Sequence, residues 1–328
     1  MKIGILLPCA PGAPRGNSTT AARLVSALER SGHEVSLEAA EGTTFEGDGF
    51  ELLIALHAFK SGPTAVSIAK KENIPVIILF TGTDLNGQPS EEELEVVAQA
   101  QVLVTLGNAA ARRVRDLFPN CGDKVSVIPQ AVSPLPEHPG PRPEIIRALP
   151  PDAELILLPT GIRSIKDPAR AITALAPMVA RRPLLQLWIL GEEMEQETAT
   201  EVRNLCQAHP FATWLGPIPR AQLAPLFRRA QVVLSTSKSE GGAPNALLEA
   251  GLMGRPILAT DIPAHREFPG ASCLFGDDQS LRRKLGSLLD NHHAALLESA
   301  ARREEIRHGR ALAREAAAWS GLIHPFGH

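Results

Sequence analysis

The sequence predicts an α/β protein made of two doubly wound domains. At 328 residues the chain is too long for one ordinary core and suits two domains of about 150 residues each. Short apolar runs alternate with longer amphipathic stretches, which is typical of parallel strands that helices bury on both faces. Five prolines within residues 134–143 interrupt this alternation, because such a passage continues neither a helix nor a central strand.

The first half is expected to form a sheet of about six strands. In order, the strand and helix segments are KIGILLP, TTAARLVSALERSG, HEVSLEA, FELLIALHA, VSIAKKENI, PVIILFTGTD, VLVTLG, a helix from Asn108 to about Phe118, and KVSVIP. The turn PGAPRGNSTT follows the first strand, and Asn17, Ser18 or Thr19 is expected to cap the helix after it.

The second half repeats the alternation after the proline-rich passage. Its segments are AELILLPTG, DPARAITALAPMVA, LLQLWILG, a helix from about Met194 to Ala208, ATWLG, RAQLAPLFRRA, QVVLST, NALLEAGLMG, RPILAT and SCLFG. We therefore predict an N-terminal domain over residues 1–138, a C-terminal domain over 139–305 and a helix or tail over 306–328, whose return to the first domain is left open. The stretch from Asp290 to Trp319 is interpreted as a solvated helix, with Trp319 anchoring its end by burial.

Composition excludes several classes of protein. A formal net charge of −3, with 11 Lys and Arg against 16 Asp and Glu in residues 1–140, gives no basic surface for nucleic acid or an anionic membrane. The four cysteines stand singly without a CxxC pair, which suits a reducing cytoplasm and indicates neither a zinc site nor a disulfide framework. No apolar run approaches the roughly 18 residues of a membrane span. We expect no stable membrane association and no metal; the oligomeric state is left open.

Candidate site residues of the first domain lie at predicted strand ends. Gly16 and Asn17 follow the first strand, where backbone amides at a helix start attract anions, although a simple turn and cap explain them equally well. The absence of GxGxxG argues against a dinucleotide fold. His57 and Asp84 follow two later strands, and the carboxyl ends of parallel strands are where open α/β sheets bind ligands. A histidine bonded to a carbonyl and a loop-capping aspartate are the structural alternatives.

Candidate site residues of the second domain suit a diphosphate. Arg163 and Lys166 follow its first strand and offer one forked donor and one point charge. The stretch SKSEGGAPNALLEAG sets Glu240 before a glycine pair and Glu249 inside the next helix. We expect amides at this helix start to hold a phosphate or sugar, Glu240 to accept hydrogen bonds from sugar hydroxyls, and Glu249 to bind ribose hydroxyls. The alternatives are that Glu240 is an acid favoured by the dipole at the start of the next helix, and that Glu249 is an ordinary surface residue. The set expected to bind the donor comprises Gly16, Asn17, Arg163, Lys166, Gly241, Gly242, Ala243, Pro244 and Glu249.

These motifs together resemble glycosyltransferase family 4, which has the two-domain GT-B fold. The resemblance covers nearly the whole chain and rests mainly on LGPIPRAQLAPLFRRAQVVLSTSKSEGG and LLEAGLMGRPILATDIP. In that family seven residues separate the two glutamates, whereas eight separate Glu240 from Glu249. More narrowly, GNSTTAARLVSALERSGHEV, ALHAFKSG, TGTDLNG and GIRSIKDP are similar to the selenosugar synthase branch and to animal glycosyltransferase 1 domain-containing proteins.

The resemblance implies two Rossmann-like domains that face each other across a cleft, and a closing C-terminal helix. It implies a retaining, metal-independent enzyme that moves a sugar from a UDP-sugar, as co-substrate and without a cofactor, to a small acceptor such as selenophosphate. By the same resemblance, Arg163, Lys166 and helix amides would stabilise the leaving diphosphate. His57 would position the sugar or the acceptor, Glu240 would contact the sugar, and Asp84 would line the acceptor side.

Several other functions stay open at this stage. One is a nucleotide-sugar-binding protein whose changed glutamate spacing has abolished turnover. Another is a family 4 enzyme that acts on a lipid or glycan. A two-domain ligand receptor of the periplasmic type is disfavoured by Arg163 and Lys166 and by the lack of an export signal.

Overall fold

The computed structural model of the protein describes residues 1–13, 16–45, 49–137, 144–268 and 273–327. Most of the proline-rich passage predicted as a linker, with the predicted boundary between residues 138 and 139, lies outside these residues. The chain divides into two compact units. Unit 1 contains Met1–Ala131, Glu240–Ala243 and Gly309–His328, and unit 2 contains Val132–Ser239 and Pro244–His308.

Unit 1 is built on a parallel sheet of six strands in the order β2-β1-β3-β4-β5-β6. Its elements are β1 (Lys2–Leu7), α1 (Gly16–Arg30), β2 (Glu34–Ala39), β3 (Leu52–Leu56), α2 (Gly62–Glu72), β4 (Val76–Leu79), α3 (Glu91–Gln99), β5 (Val102–Thr105), α4 (Asn108–Leu117) and β6 (Val125–Val127), with α13 (Leu312–Ile323) added from the end of the chain. Strands β3 and β4 are apolar at every position, and β1 is apolar after Lys2, because helices cover both faces of the sheet.

Unit 2 repeats this architecture with a different strand order, β12-β11-β10-β7-β8-β9, again with parallel neighbours. Its elements are α5 (Glu144–Ala148), β7 (Glu154–Pro159), α6 (Pro168–Leu175), β8 (Leu185–Leu190), α7 (Gln196–Ala208), β9 (Ala212–Trp214), α8 (Leu223–Arg229), β10 (Val232–Ser235), α9 (Asn245–Leu252), β11 (Ile257–Thr260), α10 (Pro263–Arg266), β12 (Cys273–Phe275), α11 (Asp278–Asp290) and α12 (His292–Gly309). No helix among the described residues is both long and apolar enough to span a bilayer.

The end of the chain differs from the solvated helix expected over Asp290 to Trp319. Helix α12 ends at Gly309, and α13 starts at Leu312 after Ala311, whose extended backbone (φ −70°, ψ 141°) breaks the helix. Trp319 is 1% exposed, as expected, and packs with the core of β1 and α1. Glu315, one turn before Trp319, is also buried and pairs with Arg23 of α1 at 2.8 Å. The expectation holds for α12, whose surface carries ion pairs between Glu298 and Arg302 and between Glu304 and Arg307. It is wrong from Leu312 onward, because α13 is a separate helix in the packed core of unit 1.

The start of α1 also differs from the prediction. The helix begins at Gly16, so that Asn17, Ser18 and Thr19 lie in its first turn and do not cap it. The hydroxyl of Ser18 points back to the loop before the helix and donates to the carbonyl of Ala10 at 3.4 Å. The preceding residues 14 and 15 of the predicted glycine turn lie outside the described part of the chain.

Candidate active site

The strand order of unit 2 places a topological switch point between β7 and β10. From β7 the chain continues to β8 and β9 on one side, and from β10 to β11 and β12 on the other. Open α/β sheets bind ligands at the carboxyl ends of the strands that flank such a point. The loops after β7 and β10 carry the predicted residues Arg163, Lys166 and Glu240, and α9, which carries Glu249, follows the second loop.

Hydrogen bonds join these two loops. The backbone N–H of Lys238 donates to the carbonyl of Ile165 at 2.8 Å, and the hydroxyl of Thr236 donates to the carbonyl of Lys166 at 3.0 Å. The ammonium of Lys238 lies 3.3 Å from a carboxylate oxygen of Asp167. The loop with the two predicted cations therefore has a backbone position fixed by its neighbour at the switch point.

Arg163 has a buried donor that no described atom satisfies. Its side chain is half-buried, and the Nε atom is shielded from solvent without a hydrogen-bond partner. The hydrogen bond that Glu195 accepts from the backbone N–H of Ser164 is the main cause that lowers the pKa of Glu195, and the charge of nearby Arg163 adds a smaller effect. A buried guanidinium donor without a partner costs about 1–3 kcal/mol, and a bound anion would supply the missing acceptor.

Glu249 is a buried carboxylate in the middle of α9. It is 6% exposed, and burial raises its pKa against the opposing effect of Arg220, whose guanidinium donates to Oε1. Arg220 also donates to the carbonyl of Ser133 at 3.3 Å. Because Arg220 occupies one carboxylate oxygen, the other oxygen is left to accept hydrogen bonds from a ligand hydroxyl.

The glycine pair after Glu240 is packed within unit 1. A Cβ atom on Gly241 would be 2.4 Å from the Cα of Gly82, and one on Gly242 would be 2.7 Å from the Cβ of Leu106. Only glycine permits so close an approach of two backbones. The next residue, Ala243, is buried, and its carbonyl accepts a hydrogen bond of 2.6 Å from the side-chain amide of Gln130. Pro244 then occupies the N-cap position of α9 with an extended ψ of 139°.

His57 and Asp84 lie together at the carboxyl ends of β3 and β4. Asp84 is 2% exposed, and its carboxylate accepts backbone N–H groups from Ala58 at 3.0 Å, Thr81 at 3.1 Å and Gly82 at 2.7 Å. His57 is also buried and has a positive φ of 78°. Burial lowers the pKa of His57 although the nearby Asp84 raises it. The structure thus brings these two predicted residues together.

Gly16 and Asn17 lie at the start of α1, after β1. Gly16 is exposed, and a Cβ atom added to it would meet no other atom within 4 Å. Strands β1 and β3 flank the switch point of the sheet in unit 1, so these residues and His57 share one edge of that sheet. Sequence reasoning missed Arg220, since an arginine 29 residues before its glutamate shows no periodic relation to it. Within the described ranges, no group of three or more His, Cys, Asp and Glu residues is arranged to hold a metal ion.

Comparison with known proteins identifies the class of enzyme. Residues 156–291 match the sequence model of the family described as Glycosyl transferases group 1. This chain is a glycosyltransferase of the GT-B type. It is 28% identical over 266 residues to Glycosyltransferase 1 domain-containing protein 1 of Xenopus tropicalis, which covers 76% of each chain. It is 31% identical over 183 residues to a D-inositol 3-phosphate glycosyltransferase of Kineococcus radiotolerans, covering 52% of this chain and 42% of that protein.

Solved structures show the same fold at low sequence identity. Anabaena HepE, solved in complex with UDP and glucose, superposes with a TM-score of 0.79 over 99% of this chain and all of HepE at 14% identity. Sucrose-phosphate synthase from Thermosynechococcus elongatus has a TM-score of 0.80 at 16% identity, and the match covers 99% of this chain and 98% of the synthase. The predicted pair of doubly wound sheets with a C-terminal helix is confirmed.

Proposed function

We propose that this glycosyltransferase moves a sugar from a UDP-sugar to a small acceptor, with retention at the anomeric carbon and without a metal ion. The proposal is carried by the positions of Arg163, Lys166 and Glu249 in unit 2, on the loop after β7 and on the helix that follows the loop after β10, at the β7–β10 switch point. Structural neighbours that were solved with UDP and UDP-glucose support the choice of nucleotide.

Glu249 would hold the ribose of the nucleotide. Vicinal hydroxyls offer two O–H donors, which match an ionised carboxylate with a free oxygen. Arg220 would keep this carboxylate ionised and oriented, because it holds Oε1 and opposes the effect of burial on the pKa.

Arg163 and Lys166 would bind the diphosphate. During transfer the bond between the anomeric carbon and the β-phosphate oxygen breaks, and UDP leaves with the electron pair. The two cations and the amides at the start of α9 would stabilise the negative charge that develops there. The acceptor forms its bond to the same face of the anomeric carbon, and its proton passes to the departing phosphate oxygen.

The remaining predicted residues would complete the site. Glu240 would bind the sugar, and Gly241, Gly242, Ala243 and Pro244 would shape the turn that leads into α9. The packing of Gly241 against Gly82 supports this role, since it fixes the backbone directly after Glu240. Gly16 and Asn17 would approach the donor phosphate through backbone amides, while His57 and Asp84 would belong to the acceptor side.

Two small phosphorylated compounds are the first acceptors to test. D-inositol 3-phosphate follows from the names of several relatives, and selenophosphate follows from the resemblance of TGTDLNG and GIRSIKDP to selenosugar synthases. Lipid and glycan acceptors are the competing outcomes. We further propose a reducing, cytoplasmic setting, which suits the free thiols of Cys9, Cys121 and Cys206.

A nucleotide and acceptor panel tests this proposal. Thermal shift and calorimetry with UDP, GDP and ADP would establish the base, and mass detection of products from UDP-glucose, UDP-N-acetylglucosamine and each acceptor would establish turnover. Retention is read from the anomeric coupling constant of the product. We expect UDP to bind most tightly and to be released during transfer. Tighter binding of GDP or ADP would refute the UDP assignment, and UDP binding without turnover on any acceptor would favour the inactive binding protein.

Matched variants locate the binding site. We expect Arg163→Ala and Glu249→Ala each to weaken UDP binding by about 1–3 kcal/mol, or about 5- to 150-fold, because each loses a charged hydrogen bond. Arg181→Ala and Glu201→Ala are the controls, since both side chains are exposed and lie away from the β7–β10 switch point. Unchanged UDP affinity in the first pair of variants would remove the proposed site.

A further inference from the structure

The ends of β3 and β4 place the side chain of His57 beside those of Thr83 and Asp84. His57 follows β3, and Thr83 and Asp84 follow β4, its neighbour in the parallel sheet. His57 Nε2 lies 3.1 Å from the hydroxyl of Thr83, and His57 Nδ1 lies 4.0 Å from a carboxylate oxygen of Asp84. Of these three residues, only Thr83 is partly exposed.

His57 is almost completely enclosed by its neighbours. Its side chain is 6% exposed, and its backbone adopts the left-handed conformation at φ 78°. Such a conformation costs about 1–3 kcal/mol in a residue other than glycine and persists only where the surroundings fix it. Here the N–H of His57 donates to the carbonyl of Leu79 at 2.9 Å, and its carbonyl accepts the N–H of Ser61 at 3.2 Å. The strain therefore serves to direct the imidazole toward the end of β4.

The hydrogen bonds of the imidazole determine which nitrogen carries the proton. The backbone N–H of Phe59 donates to Nδ1 at 3.3 Å, so Nδ1 is an acceptor. The distance of 4.0 Å from Nδ1 to Asp84 is too long for a hydrogen bond. A neutral ring with Nδ1 as acceptor carries its proton on Nε2, which then donates to Thr83 Oγ1.

As a result, the O–H group of Thr83 is still able to donate one hydrogen bond. Because its oxygen accepts from His57, its own proton points elsewhere, and the hydrogen-bond donor His57 polarises that O–H group. We propose that Thr83 is the residue of unit 1 that contacts the acceptor substrate, by donating to one of its oxygen atoms, and that His57 is a positioning residue that acts through Thr83. This inference rests on the proposed function and replaces the direct contact by His57 that the sequence suggested.

Asp84 holds the backbone on which Thr83 sits. Its carboxylate accepts the N–H groups of Thr81 and Gly82 on the same loop and that of Ala58 on the neighbouring loop. The backbone of Gly82 in turn lies against Gly241. Thr83 therefore stands on a loop that is fixed on both sides, which is the arrangement required for a hydroxyl that orients a substrate.

Steady-state kinetics with UDP-glucose and the two probe acceptors, D-inositol 3-phosphate and selenophosphate, test this role. Thr83→Val removes the hydroxyl and keeps the shape, and we expect kcat/KM for the acceptor to fall about 5- to 150-fold while KM for UDP-glucose changes by less than about twofold. Thr83→Ser keeps the hydroxyl and should restore most of the activity. Thr200→Val is the control, because Thr200 is exposed on α7 and its hydroxyl donates to the carbonyl of Gln196 within the same helix.

A double-mutant cycle separates a positioning role from direct contact. His57→Asn tolerates the positive φ and removes the ring. If His57 acts through Thr83, the His57→Asn, Thr83→Val double variant is no slower than Thr83→Val alone. Additive losses would mean that His57 contacts the substrate itself and would overturn the proposal, as would full activity in Thr83→Val with a melting temperature equal to that of the wild type.

Nitrogen NMR of the protein with isotope-labelled histidine measures the protonation state and tautomer of the His57 ring without any substrate. We expect the His57 ring, identified by its absence in His57→Asn, to be neutral at pH 7 with its proton on Nε2, and the Nε2 signal to shift in Thr83→Val. A ring protonated on Nδ1 would overturn the proposal. Failure of the wild type to bind UDP or release it from UDP-glucose would instead refute the proposed function, so the two failures are distinguishable.

Discussion

The contact between Gly241 and Gly82 gives a prediction whose size follows from the geometry. In Gly241→Ala the new methyl group would lie 2.4 Å from the Cα and 2.6 Å from the N of Gly82, and 2.8 Å from the carbonyl carbon of Thr81. All three are backbone atoms, so no side chain can rotate away. An ordinary contact starts at 3.4 Å, so one backbone must shift by about 1 Å.

Two costs add in this variant. Overpacking of this kind costs about 1–3 kcal/mol. The displaced segment also carries the Gly82 N–H, which donates to Asp84 at 2.7 Å, and weakening that bond costs about 1 kcal/mol. The expected total of about 2–4 kcal/mol corresponds to a fall in Tm of about 4–16 °C for a domain of 150–250 residues.

Calorimetric melting of Gly241→Ala beside Gly286→Ala tests this estimate. Gly286 lies inside α11, and a Cβ atom there would meet no atom within 4 Å, so alanine should raise the stability by about 0.5–1 kcal/mol. We also expect Gly241→Ala to form UDP from a UDP-sugar more slowly during transfer, because the turn after Glu240 is displaced. If its Tm stayed within about 1 °C of the wild-type value, the close packing of the two glycines would not exist.

Three further predictions concern charged groups. Glu249→Gln should weaken UDP binding and yet unfold at equal or higher temperature at pH 7, because burial disfavours the ionised form of Glu249; calorimetry with and without UDP measures both. Burial lowers the pKa of His57, so the folded state binds this proton less readily than the unfolded state. The free energy of unfolding should therefore decrease as the pH falls below about 6.5, and urea unfolding of His57→Asn should show a smaller decrease. Glu315→Ala leaves the Arg23 guanidinium buried without its partner and should cost about 3–5 kcal/mol in urea unfolding; a cost below about 1 kcal/mol would contradict the buried pair.

The strands and their parallel arrangement were predictable because both faces of each sheet are covered. Consecutive apolar residues in LLIAL and VIIL leave no solvent face, which is the pattern of a doubly wound sheet. The helix that carries Glu249 was also predictable, since Pro244 and Asn245 mark its start. The break between α12 and α13 was missed although Gly309, the last residue of α12, is a common helix-ending residue. No proline follows it, and the alanine-rich stretch after it favours continuation.

Contacts between residues that are far apart in the sequence could not be predicted from it. Strand order, and with it the β7–β10 switch point, depends on which strands pair, and hydrophobic periodicity carries no information about neighbours. Arg23 and Glu315 are 292 positions apart, and each alone is typical of a solvated helix. The glycines at 82 and 241 indicated turns, but their mutual contact required the fold.

The position of α13 affects how the protein is synthesised. Unit 1 takes its strands from the first part of the chain, yet Trp319 and Glu315, which fill its core and neutralise Arg23, are translated after all of unit 2. Domains usually fold in the order in which they emerge from the ribosome. Until α13 emerges, the apolar face that Trp319 covers stays open and Arg23 lacks the carboxylate of Glu315, so the core of unit 1 is completed only after unit 2 has been translated.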